Sequence, residues 1–132
     1  MKDKKSIKRW HHQFPVEMYG AGKPTGDRIV IRRWNKAQDE DQGLIALMPD
    51  APANYGHVVA YETIGQHGEA SFPDIMRITK PVKGTEQDVK DLLAELESIG
   101  YNPRPMKRIP HESLYWVKEQ RKRDKISGWR GL

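Results

Sequence analysis

A polar run of seven residues carries side chains capable of acid–base chemistry. Residues 65–71 (GQHGEAS) supply an amide, an imidazole, a carboxylate and a hydroxyl within a few positions. Because histidine titrates near neutrality, His67 with Gln66, Glu69 and Ser71 could bind a small polar ligand or move a proton. The alternative is a glycine-punctuated turn between two strands, whose polar groups satisfy one another. The pattern favours the plain turn, and leaves a polar-ligand site at His67 as a third hypothesis for function.

Arginine and tryptophan alternate along a second segment, residues 28–34 (RIVIRRW). As a strand, this segment places Arg28, Arg32 and Trp34 on one face, since successive side chains point to opposite faces. Arginine beside tryptophan suits phosphate contact and base stacking. Further cations that could extend this face are Arg104, Lys107, Arg108, Arg121, Lys122 and Arg123. The alternative is an ordinary solvent face on which arginine stems cover the indole.

The sequence lacks the residues that common metal sites, cysteine active sites and phosphate-binding loops require. The chain has no cysteine, which excludes a thiolate zinc site and a cysteine nucleophile, and its five histidines show no HxH, HxxxH or HExxH spacing. The loop at residues 20–26 (GAGKPTG) superficially resembles a phosphate-binding loop, but Pro24 follows Lys23 and a strand comes next instead of a helix. We therefore expect no metal and no cofactor, and the sequence favours a protein that is not an enzyme.

The elements that position these residues follow from hydrophobic patterning. Strands are predicted at residues 28–34, 44–48, 57–64, 71–79 and 104–109. The run 44–48 is apolar throughout, as is typical of a central strand covered on both faces, and Pro105 assigns the last strand to an edge. A helix is predicted at residues 85–99, with Thr85 as N-cap and Gly100 as its stop. Its apolar stripe consists of Val89, Leu92, Leu93, Leu96 and Ile99.

These elements predict an α+β fold: an antiparallel sheet of four or five strands with the 85–99 helix packed on it, plus a C-terminal helix. The predicted organisation is a basic, disordered arm at residues 1–13, a single domain at 14–109, and a basic helix and tail at 110–132. No run of eighteen apolar residues is present, and no apolar segment follows the basic start, so we expect neither a membrane span nor a secretory signal. The cytoplasm is the expected location.

Charge divides the 132 residues into three parts. Residues 1–33 hold nine Lys and Arg against three acids, residues 34–103 five against twelve, and residues 104–132 nine against three. Basic ends on one face would attract phosphate backbones or an acidic protein. The alternatives are solvated tails, or tails that lie on the acidic middle.

Four short motifs give the chain a family resemblance. They are residues 31–34 (IRRW), 44–49 (LIALMP), 65–68 (GQHG) and 99–103 (IGYNP). In order and spacing they resemble a family of small uncharacterised bacterial proteins that occur often on plasmids, phages and other mobile elements. The resemblance covers residues 28–109 and implies recurrence of the 65–68 motif. It implies no function, because none is assigned to the family.

The sequence thus predicts a small accessory binding protein that contacts nucleic acid without sequence specificity, through its basic ends and the face of Arg28, Arg32 and Trp34. No recognisable DNA- or RNA-binding module accompanies this pattern. The alternative is a protein-interaction module, an inhibitor or adaptor, that uses exposed tryptophans and the edge strand at 104–109. The tryptophans of that alternative are Trp10, Trp116 and Trp129.

Overall fold

The structure, a computed structural model, describes residues 7–11 (backbone), 22–53, 57–62, 65–108 and 122. In this part of the chain, strands dominate the first half and the longer helix follows them. The elements are β1 (Ile7–His11), β2 (Asp27–Trp34), β3 (Leu44–Pro52), β4 (Val58–Glu62), β5 (Gln66–Ala70), α1 (Phe72–Ile78), β6 (Thr79–Pro81), α2 (Gln87–Ser98) and β7 (Pro103–Pro105). The fold is α+β, as the sequence predicts.

Six strands form an antiparallel sheet in the order β1-β5-β4-β3-β2-β6. β7 pairs with β2 as well, but parallel to it, with Asp27 opposite Pro103. β2 therefore has β7 along its first half and β6 along its second half, where Trp34 lies opposite Thr79. The sequence predicts four or five strands, and the larger number arises because β1, β5 and β6 are strands that the sequence does not predict.

β3 lies between β2 and β4 at the centre of the sheet, which confirms the predicted central strand. Residues 44–48 are buried on both faces. The strand does not end at Pro49: the register with β4 shifts so that Met48 pairs with Val59 and Pro52 with Val58. A bulge of this kind accommodates a proline that cannot donate to the ladder.

The two faces of the sheet carry separate apolar clusters because side chains alternate along each strand. On one face Ile29 and Ile31 of β2 pack with Leu92 and Leu96 of α2. On the other face Val30 and Trp34 pack with residues of α1. The sheet is thus covered by one described helix on each side.

α1 replaces the strand predicted at residues 71–79, and that prediction is wrong. Phe72, Ile75 and Ile78 are three residues apart, a helical spacing, and Phe72 and Ile75 are buried on the sheet. Pro73 lies in the first turn, where a proline costs a helix no hydrogen bond. Pro73 is therefore unfavourable at the beginning of a strand but favourable in the first turn of a helix.

α2 confirms the predicted helix, with an apolar stripe on the sheet. Val89, Leu92 and Leu96 are buried, and Leu93 and Ile99 are partly buried beside them. The N-cap lies one residue later than predicted, at Glu86 instead of Thr85, and the helix begins at Gln87. Gly100 follows the helix with φ of 116°, a left-handed conformation that suits glycine.

Part of the predicted N-terminal arm lies within the described residues. Residues 7–11 form β1, antiparallel to β5, with Ile7 opposite Ala70 and Trp10 opposite His67. The predicted C-terminal helix and tail lie outside the described residues apart from Lys122, which is exposed. Among the described helices, none combines the length and the apolar character needed to cross a membrane.

Candidate functional site

The strand at residues 28–34 alternates as predicted, but the structure corrects its role. Trp34 is completely buried between the sheet and α1, so its indole has no surface to offer a nucleic-acid base. Arg32 is only 9% exposed. Arg28 is half-buried, and Asp50 accepts hydrogen bonds from its Nε and Nη2 at 2.7 and 2.6 Å. The predicted Arg/Trp face is therefore core and ion pair, and not an open binding face.

Arg32 is held by neutral oxygens. Its Nε donates to Thr79 Oγ1 at 3.0 Å, and its Nη2 donates to the carbonyls of Thr79 at 2.9 Å and Met76 at 3.4 Å. These carbonyls lie at the C-terminal end of α1, so Arg32 caps that helix. Burial lowers the pKa of the guanidinium from its ordinary value.

Several exposed cations lie instead on the segments that flank β2. We call five of them the basic edge: Lys80, Lys83, Arg104, Lys107 and Arg108. Both β6 and β7 flank β2, and the Met106 N–H donates to the Ile29 carbonyl at 2.8 Å, which keeps the chain beyond β7 beside β2. At about 3.3 Å per residue, the eight residues of β2 span roughly 23 Å.

Within the described part of the chain, no carboxylate forms an ion pair with the basic edge, whereas other arginines are neutralised by the acidic middle. Those ion pairs are Arg28–Asp50 (2.6 Å), Arg33–Asp88 (2.8 Å), Arg33–Glu86 (3.1 Å) and Arg77–Asp74 (2.7 Å). Glu86 is close to Lys83 in sequence, but it accepts from Arg33 and from the Lys83 backbone N–H. No carboxylate of the described residues therefore compensates the positive charge of the edge.

Of the cations predicted to contact nucleic acid, Lys107 and Arg108 belong to this edge, and Lys122 is exposed. Arg121 and Arg123 lie outside the described residues, as do Trp116 and Trp129. Only the backbone of Trp10 is described. Sequence reasoning missed Lys80 and Lys83 because it assigned residues 71–79 to a strand and no element to the two lysines. Pro81 between them is the signal that could have placed them on an edge.

A turn at the base of β7 positions Arg104. The Asp27 carboxylate accepts from the N–H groups of Gly22 (2.8 Å), Lys23 (3.1 Å) and Asn102 (2.7 Å). Asp27 thereby joins the glycine-rich loop to the start of β7. The loop N–H groups that resemble a phosphate cradle in the sequence are thus used by an internal carboxylate.

The polar run at residues 65–71 is strand β5, between β1 and β4, and the predicted turn is wrong. Gly65, with φ of 85°, makes the turn just before β5. Gln66 is half-buried at the start of the strand and Ser71 is buried at the N-cap of α1. His67 is buried with its Nε2 2.7 Å from the hydroxyl of Tyr101.

Further polar groups surround His67 on the face covered by α2. Glu69 is buried, with Oε1 3.3 Å from His57 Nδ1. Tyr61 packs edge-on against His67 and donates its hydroxyl to Glu95, and burial with this hydrogen bond raises the pKa of Tyr61. These contacts join the polar groups to one another inside the fold. Among the described residues, no three His, Asp or Glu side chains are grouped to hold a metal ion.

Comparison with known proteins gives no match: no family model, no curated protein and no solved structure is similar to this chain. The resemblance to a family of mobile-element proteins therefore stays a prediction.

Proposed function

We propose that the protein binds nucleic acid without sequence specificity, through the phosphate backbone, and that the basic edge supplies the contact. The observation that carries this proposal is the group of five exposed cations on the segments that flank β2, none of which has a carboxylate partner in the described chain. A phosphate backbone presents many charges to such a group, and their neutralisation releases counterions. Phosphate contacts position a protein on nucleic acid but carry no sequence information.

The protein-interaction alternative receives less support from this edge. Strand addition needs free backbone N–H groups, and Pro103 and Pro105 of β7 have none. Pro81 removes another N–H from β6. The edge is thus better suited to contact through charged side chains than through backbone pairing.

We further propose that this activity is cytoplasmic, where a chain without cysteine needs no disulfide. A link to plasmids, phages or other mobile elements is part of the same proposal, and it rests on the four short motifs alone.

The proposal is tested by neutralising two edge cations and comparing a control of equal charge. The edge variant combines Arg104→Gln with Lys107→Gln, and the control combines Lys36→Gln with Lys90→Gln, two exposed lysines outside the basic edge. Fluorescence anisotropy of a short labelled DNA duplex measures the affinity. We expect the edge variant to bind at least about tenfold more weakly than the control, since charge-assisted hydrogen bonds to phosphate are lost. Equal losses in both variants would contradict the assignment of the edge.

The same variants also distinguish nucleic-acid binding from a second role of edge cations, which is to prevent self-association. Charged residues and prolines on an edge strand also prevent pairing with other chains. If the edge variant self-associates in sedimentation while its affinity for DNA matches the control, the cations guard the edge and the proposal is wrong.

A further inference from the structure

Arg32 carries a buried positive charge that no described carboxylate balances. The residue is 9% exposed and pairs with Pro81 of β6 and Ile45 of β3. All three of its hydrogen bonds go to neutral oxygens of Met76 and Thr79. Burial of a charge is costly unless another charge compensates it. The partial negative charge at the end of the seven-residue α1 compensates only a fraction.

The guanidinium retains hydrogen-bonding capacity on one side. An arginine offers five N–H donors, and the three hydrogen bonds of Arg32 use its Nε and Nη2. Its Nη1 has no acceptor among the described residues. Because Thr79 and the α1 carbonyls hold the other side, this nitrogen is fixed in position before any ligand arrives.

The basic edge lies next to this arginine. Pro81, its β6 partner, is flanked by Lys80, and Lys83 follows two residues later. Met106, just before Lys107, packs on the same apolar cluster as Val30 and Trp34, the cluster on the Arg32 face of β2. Arg32 is therefore a fixed cation beside the basic edge, with Pro81 and Met106 next to it, while Lys80, opposite Arg33, points to the other face of the sheet.

We propose that Arg32 is the inner anion site of the basic edge, where Nη1 donates to an oxygen of a phosphate group. A nucleic-acid phosphodiester and free inorganic phosphate share this chemistry. The inference that the bound phosphate belongs to a nucleic acid rests on the proposed function, whereas the inference of an anion site at Arg32 does not. Arg32 then has two roles, because the same guanidinium that caps α1 holds the anion.

Side-chain NMR of the folded wild-type protein tests the site. The Nε–H of Arg32 is hydrogen-bonded to Thr79, so its resonance is a reporter, and through-bond experiments assign it without a variant. Inorganic phosphate is titrated against chloride at equal ionic strength. We expect a saturable shift of the Arg32 resonance and none for Arg77, an exposed arginine paired with Asp74. An Arg32 resonance that does not move with phosphate would overturn the inference.

Substitution then measures the contribution of the guanidinium. Arg32→Lys keeps the charge but loses the planar fork, and we expect it to weaken phosphate binding about tenfold, with Arg77→Lys unchanged as the control. Equal phosphate affinity in the two variants would contradict the site. If Arg32→Lys does not fold, the wild-type titration still decides.

A DNA duplex in place of phosphate distinguishes the sources. A shift of Arg32 with both ligands supports the site and its nucleic-acid ligand. A shift with phosphate alone supports the site and contradicts the nucleic-acid source. Duplex binding that depends on Arg104 and Lys107 while Arg32 stays unmoved by either ligand overturns this inference and leaves the proposed function in place.

Discussion

At the residue scale, the protein buries polar groups in pairs. His67 and Tyr101 are almost fully inaccessible and lie in hydrogen-bond contact, and buried Glu69 lies beside His57. Removing one partner of a buried hydrogen bond leaves the other polar group unsatisfied. The free-energy cost of that unsatisfied group exceeds the net stabilisation that the intact hydrogen bond provides. These pairs therefore fix how β5 sits between its neighbours.

The His67–Tyr101 contact gives a first prediction. We expect Tyr101→Phe to lower the free energy of unfolding by about 1–3 kcal/mol, because His67 Nε2 loses its partner in a buried site. Urea denaturation measures the loss. Glu97→Gln, a change at an exposed helix residue, is the control and is expected to stay within about 0.5 kcal/mol of wild type. A Tyr101→Phe variant as stable as this control would show that the contact contributes nothing.

The Arg33–Asp88 ion pair gives a pH dependence. The hydrogen bond with Arg33 lowers the pKa of Asp88 below its ordinary 3.8. A lowered carboxyl pKa stabilises the fold above the unfolded-state pKa, and that stability is lost as pH falls through the folded-state pKa. Because Asp88 is 51% exposed, solvent screening limits the contribution at pH 7 to about 1 kcal/mol or less.

Asp88→Asn tests this dependence. We expect the variant to be less stable than wild type at neutral pH and equal to it well below pH 3.8, in urea unfolding at both values. Glu97→Gln again serves as the control. A difference from wild type that persists unchanged in acid would contradict the ion pair as its cause.

At the element scale, helix α2 is held by its sheet-facing stripe. Leu92 is 1% exposed in the cluster with Ile29 and Ile31, whereas Leu93 is only partly buried at its margin. The sequence places both leucines in the apolar stripe, and on that basis alone Leu93→Ala would be expected to cost about 2–5 kcal/mol. The structure assigns that cost to Leu92.

Substitution of the two leucines checks the orientation of α2. We expect Leu92→Ala to cost about 2–5 kcal/mol of unfolding free energy, and Leu93→Ala clearly less, because its site is already partly open to solvent. The two variants serve as each other's control, since the same atoms are removed one position apart. A larger loss at Leu93 would mean that α2 is rotated on the sheet.

The sequence predicts some elements well for physical reasons. The sequence predicts β3 from the continuous apolar run at residues 44–48. It predicts α2 from the apolar stripe between Val89 and Ile99, which has the spacing of a helix. The strand prediction for residues 71–79 is wrong because the segment is too short for its apolar spacing to distinguish a helix from a strand. The sequence does not predict β5 because the strand contains polar residues that are buried against distant partners. The partner of His67, for example, is Tyr101, which lies 34 residues away in the chain.

At the scale of the whole molecule, the described cations divide into those in ion pairs and those with no described carboxylate partner, among them the basic edge. The acidic middle neutralises Arg28, Arg33 and Arg77, and leaves the basic edge without described carboxylate partners. The sequence locates the basic segments but cannot tell that Arg28 and Arg33 form ion pairs, because Asp50 and Asp88 are 22 and 55 residues away in the chain. Arg32 and Trp34 are not the exposed face that strand alternation predicts, because α1 covers that face of the sheet.

The salt dependence of DNA binding tests the central claim most directly. The slope of log affinity against log salt is about −0.9 per duplex phosphate neutralised. The account predicts a steep negative slope for the wild-type protein, reduced in magnitude by roughly 1.8 when Arg104 and Lys107 are both replaced by glutamine. The Lys36→Gln and Lys90→Gln control keeps the wild-type slope. No binding at low salt, or one slope for all three proteins, would contradict the basic edge as a nucleic-acid surface.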